Sequence, residues 1–123
     1  MWNLCRRTFI LKKFIAPFPE KAWMGYHLSG KHTLDFIVEY KPEGQASLRP
    51  HHDASTFSLL VSLNHYDIDF EGGGTNYVRQ NCTHRENKKG WAVFHPGRLT
   101  HYHEGLKVTK GTRYILVSFV DQI

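Results

Sequence analysis

Cysteine is scarce. Cys5 and Cys82 are the only two, enough for one bridge at most, so the chain is no disulfide-stapled scaffold. Long apolar runs are missing as well: the longest, Tyr114 to Val120, contains a serine and falls far short of the ~20 residues a membrane helix requires. Basic residues are spread from Arg6 to Lys110 with no dense run and no interleaved stacking aromatics. The net charge of +5 therefore reads as a solvated surface, not as a specific nucleic-acid interface. Ten glycines and five prolines punctuate the hydrophobic segments, which excludes a coiled coil. No repeat or low-complexity tract is present. At 123 residues the chain has room for one core and not for two.

Histidine is abundant instead, with nine in the chain. The N-terminus makes a poor signal peptide, because Lys12 and Lys13 interrupt the apolar region that should follow Arg6 and Arg7. Leu4, Ile10, Leu11, Phe14 and Ile15 share a helical stripe that Pro17 ends, predicting an amphipathic packing helix over 3–16. A chain opening on such a helix reads as the tail of a longer protein, with any localisation signal upstream of Met1.

Beyond Pro19 the pattern is β. Runs at 34–40, 56–63, 76–79, 90–95, 99–103 and 113–120 are rich in β-branched and aromatic residues and bounded by Gly/Pro turns. Many short strands after one helix predict a mainly β fold, a double-sheet jelly roll (double-stranded β-helix) with an N-terminal packing helix. Trp91 and Phe94 are assigned to its core. Gly72–Gly74 reads as a tight turn between strands, since no lysine-serine pattern follows to make it a phosphate cradle.

The chemistry lies in two histidine-rich stretches. In Arg49-Pro-His-His-Asp53, Pro50 favours extended backbone, so His51 and Asp53 share one face and His52 takes the other. A lone His-x-Asp is common in polar surface turns. The second stretch, His95 to His103, supplies three more histidines, and His103 completes a set of two imidazoles and one carboxylate. That set on a β framework is the facial triad of non-haem Fe(II) oxygenases, which leaves positions open for co-substrates. Thr109-Lys110-Gly111 reads as a hairpin loop. It would set Arg113 on the face of His103 at about 13 Å, from ~3.3 Å per residue. That spacing suits a small dicarboxylic acid chelating the metal, its far carboxylate on the arginine fork. Tyr40 and Asn64 are further candidates for holding the acid. His101 shares the face of His103 and suits a supporting or packing role.

The strings LRPHHDASTF, FEGGGTNYV and KGWAVFHPGRLTHYHEGLKVTKGTRYILVSFVD resemble the C-terminal catalytic domain of the procollagen-lysine 2-oxoglutarate 5-dioxygenases, the lysyl hydroxylases. The resemblance runs from about Phe36 to Asp121 and continues more weakly towards the N-terminus. It implies metal ligands His51, Asp53 and His103, and Arg113 as the catalytic-site arginine that binds 2-oxoglutarate. Fe(2+) and 2-oxoglutarate would be required, with L-ascorbate as a further cofactor. The implied reaction is hydroxylation of peptidyl lysine in collagen-like sequences, with decarboxylation of 2-oxoglutarate to succinate. Residues 31–123 would be the oxygenase domain and 1–30 its leading helix and linker. A homodimer through this domain and residence in the endoplasmic reticulum lumen are also implied. The Asn81-Cys-Thr83 sequon would matter only there. Thr75 departs from the family, where a cysteine or another residue is expected, and 65–69 diverges. No glycosyltransferase-like segment is present, so sugar transfer is not carried over. Two other readings stay open: a prolyl or other 2-oxoglutarate-dependent hydroxylase, and an inactive metal-binding jelly roll.

Overall fold

The computed structural model describes residues 17–23, 32–85 and 88–121. The helix expected over 3–16 lies outside them. A short helix, α1 (Pro17–Ala22), is followed by ten strands: β1 (His32–Tyr40), β2 (Leu48–His51), β3 (Phe57–Ser62), β4 (Phe70–Gly72), β5 (Thr75–Tyr77), β6 (Cys82–His84), β7 (Ala92–Pro96), β8 (His103–Gly105), β9 (Val108–Gly111) and β10 (Arg113–Asp121). They form two four-stranded sheets, ordered β1-β10-β3-β7 and β2-β8-β5-β6, and a β4-β9 pair. Every pairing between these strands is antiparallel. This is the expected jelly roll.

The β1-β10-β3-β7 sheet carries an apolar cluster on each face. Alternation along β1 and β10 turns Tyr40, Ile115 and Val117 inward, where they meet Phe70 and Val108. From the opposite face Phe57 and Val120 pack with Leu59, Phe94 and Trp23. The indole of Trp23, just past α1, lies 5.4 Å from the Phe57 ring, and Phe57 stacks on Phe94 at 5.2 Å. Aromatic contacts of this kind add to the area that the faces bury. The sheet bearing Arg113 is thereby packed from behind.

Three sequence expectations need correction. Thr109–Gly111 is not a hairpin loop, because Val108–Gly111 is itself a strand paired with β4. Val108 is fully buried and its N–H donates to the Ala46 carbonyl, so this segment belongs to the core. Gly111, at φ +70°, turns the chain from β9 into β10 against the Asp69 backbone, where a Cβ has no room. His103 and Arg113 consequently stand on different sheets, and the 13 Å reckoned along one sheet has no counterpart. Secondly, the run at 99–103 is mostly turn: Leu99 has φ +58° and the Thr100 N–H bonds back to Arg98, so β8 begins only at His103. Thirdly, Trp91 is 59% exposed, with the Lys88 ammonium 5.7 Å from its ring centroid. Phe94, by contrast, does pack against the core.

Candidate active site

A cavity of about 280 Å³ opens between the two sheets. One wall is apolar, with Phe36 and Val38 of β1 and Ile115, Val117 and Phe119 of β10. The other carries His51, Asp53, Thr75, His103 and Gly105. Arg113 and Tyr40 close it on the β10 side. Facing strands from two sheets thus supply an apolar channel leading to a polar cluster.

Within the cluster, one ligand atom each from His51, Asp53 and His103 lies within 4.8 Å of the other two. Asp53 Oδ1 is 3.2 Å from His51 Nε2 and 3.7 Å from His103 Nε2. His51 Nδ1 sits 2.7 Å from the Arg49 carbonyl, and His103 Nδ1 sits 2.7 Å from the His101 carbonyl. A carbonyl oxygen only accepts, so each Nδ1 carries a hydrogen; His103 Nε2 then turns a lone pair inward, and His51 Nε2 does so once the hydrogen it shares with Asp53 is released. Backbone carbonyls locking the far nitrogen of a histidine are the usual support of a metal-binding imidazole. Two neutral nitrogens and one carboxylate oxygen fit a divalent first-row cation such as Fe(II).

The electrostatics agree with that fit. Burial pushes the Asp53 carboxyl up, but hydrogen bonds from His51 and Ser58 outweigh it and hold the group below its ordinary value, as an anion. The hydrogen bond to Asp53 raises His51, whereas burial lowers His103. Burial also depresses His95, to about 4. Its Nδ1 hydrogen goes to the Pro96 carbonyl, and its Nε2 has no hydrogen-bond partner among the described residues.

Arg113 is 4% exposed, and among the described residues no carboxylate pairs with it. Its Nη1 donates to the Gly74 carbonyl at 3.1 Å, and its guanidinium carbon lies 5.7 Å from the Tyr40 ring centroid. A buried guanidinium without its own counter-ion is a site for a ligand anion, since leaving such a charge unpaired is costly. The triple glycine makes room for it. Gly72, Gly73 and Gly74 all have positive φ, and a Cβ at Gly73 would stand 3.3 Å from Arg113 Cδ. Gly105 likewise faces the cavity, where a Cβ would approach Leu48 and the Tyr40 hydroxyl at 3.2–3.3 Å.

The residues singled out in the sequence divide accordingly. His51, Asp53, His103, Arg113 and Tyr40 line one cavity; Asn64 does not. The Asn64 amide donates to the Thr112 carbonyl at 2.7 Å and accepts from the Tyr114 N–H at 3.1 Å, pinning the backbone on both sides of Arg113. Its polar atoms are spent on backbone, so the expectation that it holds the acid is corrected to a structural one. His101 serves His103 through its carbonyl, and its ring stacks on His95 at 5.8 Å. Thr75 is buried and lines the cavity. Ser55 and Ser58 were not foreseen. Ser58 meets Asp53 from five positions along the chain, across a bend that no strand periodicity describes.

Comparisons with known proteins give the family. The profile of the 2OG-Fe(II) oxygenase superfamily matches residues 30–122. The multifunctional procollagen lysine hydroxylase and glycosyltransferase LH3 of Rattus norvegicus is 54% identical over 112 residues, 91% of this chain and 15% of that protein. Procollagen-lysine,2-oxoglutarate 5-dioxygenase 1 of Homo sapiens is 56% identical over 111 residues, 90% of this chain. The chain spans about 15% of the length of these curated relatives. Among solved structures, the 2OG complex of the viral collagen prolyl hydroxylase from Paramecium Bursaria Chlorella virus-1 is similar in fold, with a TM-score of 0.59 at 21% identity. That match covers 76% of this chain and 62% of the viral one. Two histidines and an aspartate converging beside a buried arginine, on a jelly roll, are thus joined by a family match over most of the chain, which belongs to the 2OG-Fe(II) oxygenase superfamily.

Proposed function

We propose that this chain is the oxygenase unit of a lysyl hydroxylase, with residues 31–123 as that unit and 1–30 as its leading segment. The observation that carries the reading is the joint placement, in one cavity, of the His51–Asp53–His103 cluster and the buried Arg113, which pairs with no carboxylate among the described residues. The 54–58% identity to procollagen lysine hydroxylases favours a lysyl substrate in a collagen-like peptide.

In this reading His51 Nε2, Asp53 Oδ1 and His103 Nε2 hold Fe(II). Bound Fe(II), with 2-oxoglutarate and dioxygen, supplies the oxidising chemistry that hydroxylates a C–H bond and yields succinate and carbon dioxide. The chain's own residues bind and orient. Arg113 grips the distal carboxylate of 2-oxoglutarate with the N–H groups not committed to Gly74. Tyr40, buried beside it, offers a hydroxyl whose deprotonation burial opposes, so it stays a neutral donor. The apolar wall of Phe36, Val38, Val117 and Phe119 keeps water from the co-substrate and accepts the aliphatic part of a substrate side chain. L-Ascorbate as reductant, the endoplasmic reticulum lumen as compartment and a homodimer through this domain belong to the same proposal.

The test is succinate release and mass-spectrometric detection of hydroxylation, with lysine- and proline-containing collagen-like peptides assayed in parallel, Fe(II) and 2-oxoglutarate present. Hydroxylysine in the lysine peptide alone is the expected result. Hydroxyproline alone would move the chain to prolyl substrates, and no succinate with any peptide would leave a metal-binding domain without turnover.

A further inference from the structure

We infer that Ser58 is a positioning residue for the metal site, occupying Asp53 Oδ2 so that Oδ1 alone faces the position between His51 and His103. This rests on the proposed ligand role of those three residues. The two carboxylate oxygens have different company. Oδ1 looks towards the two inward Nε2 atoms, whereas Oδ2 accepts a 2.5 Å hydrogen bond from Ser58 Oγ. His95 Nε2 also lies 3.9 Å from Oδ2. With its hydrogen on Nδ1 it has nothing to donate there. Ser58 is therefore the side-chain donor that Oδ2 has among the described residues.

The direction of the chain of hydroxyls follows. Ser58 has a single hydroxyl hydrogen and gives it to Asp53, so in its 2.8 Å contact with Ser55 Oγ it must accept. Ser55 donates to Ser58, and Ser58 donates to Asp53. Both serines are fully buried, Ser58 on β3, whose other face carries Phe57 against Val120, and Ser55 in the bend that leads into it. Two hydroxyls in such surroundings are unfavourable unless bonded, and here each is bonded to the other or to the carboxylate.

The backbone behind the relay is clamped as well. The Asp53 N–H donates to the Gly97 carbonyl at 3.0 Å, and the Gly97 N–H donates to the Thr56 carbonyl at 3.0 Å. A Cβ at Gly97 would collide with the Ser55 carbonyl and hydroxyl oxygens, so the glycine lets the 96–97 turn close on the relay. With Oδ2 held and its loop fixed, the carboxylate offers one oxygen and leaves the neighbouring position to co-substrate, as an open triad requires.

The experiment titrates the full chain with Co(II) alone, reading affinity and the visible absorption of bound Co(II), for wild type, Ser58→Ala, Ser58→Thr, Ser55→Ala and His103→Ala. Ser58→Ala is expected to weaken binding about 10–100-fold and to alter the spectrum as Oδ2 becomes free to coordinate. Ser58→Thr keeps the hydroxyl and should restore both; Ser55→Ala should cost less than Ser58→Ala. If Ser58→Ala lowers only the melting temperature of the metal-free chain, with affinity and spectrum as in wild type, Ser58 is structural and the inference is overturned. If Ser58→Ala does not fold, unchanged affinity and spectrum in Ser55→Ala would overturn it. Binding indifferent to His103→Ala would overturn the ligand assignment itself, and this inference with it.

Discussion

Replacing Arg113 separates co-substrate binding from metal binding. The guanidinium is 4% exposed and commits one nitrogen to the Gly74 carbonyl, leaving a two-pronged fork for a carboxylate. Charge-assisted hydrogen bonds contribute about 1.5–3 kcal/mol each. Losing both prongs of a buried pair therefore costs about 3–5 kcal/mol, or roughly two to three and a half decades in 2-oxoglutarate affinity. Arg113→Ala should not disturb the turn beneath it, because the Gly74 carbonyl keeps its bond from the Leu106 N–H at 2.9 Å. Iron affinity should stay nearly unchanged, since the metal cluster contains no atom of Arg113. Arg113→Lys preserves the charge but not the fork, so it should lose about one decade or two. Succinate formation is measured against 2-oxoglutarate concentration for the three proteins, with iron content determined in each. A 2-oxoglutarate dependence unaltered in Arg113→Ala would refute the assignment and send the search for the carboxylate clamp elsewhere.

Asp53→Ala removes the anionic oxygen from between two neutral imidazoles, so metal retention and turnover should vanish together; an iron-bound, active variant would dismiss the triad. Gly97→Ala forces a methyl group against Ser55 and should destabilise the fold by about 1–3 kcal/mol, read as a lower urea midpoint; an unchanged midpoint would show that the turn relaxes freely. The metal-free chain should lose stability in mild acid. Burial lowers His95 to about 4 and lowers His103 too, so between pH 6.5 and 4 the unfolded chain binds protons that the folded one refuses. Stability then falls as pH falls, by up to about 3 kcal/mol for His95. His51 is raised and acts in the opposite sense, its contribution present below its unfolded value and lost as pH rises through its folded one. Urea midpoints at pH 7 and pH 5 decide; a midpoint that rises towards pH 5 would contradict the neutral burial of His95.

The sequence by itself determined the fold class and the residue types of the candidate site. Period-two alternation is local, so β1, β3 and β10 were legible wherever apolar residues recur on one face. The alternation within His-His-Asp is local too, and it brought His51 and Asp53 to one face before any contact was known. Pairing partners are not local. The pattern at Val108–Gly111 serves a hairpin loop and a strand equally well, and only the burial of Val108 together with the β4 partner decided for the strand. The same holds for Asn64, whose amide could reach a ligand in sequence terms and is instead consumed by the backbone around Arg113. Ser58, Ser55 and Gly97 acquire meaning only when the 96–97 turn closes over the loop after Asp53. Arg113 reads as an anion site only once the cavity holds it in the interior, with no carboxylate paired to it among the described residues. Spacing along a chain reports which face a side chain takes; which sheet lies opposite that face, and what is left unpaired between them, is settled by packing.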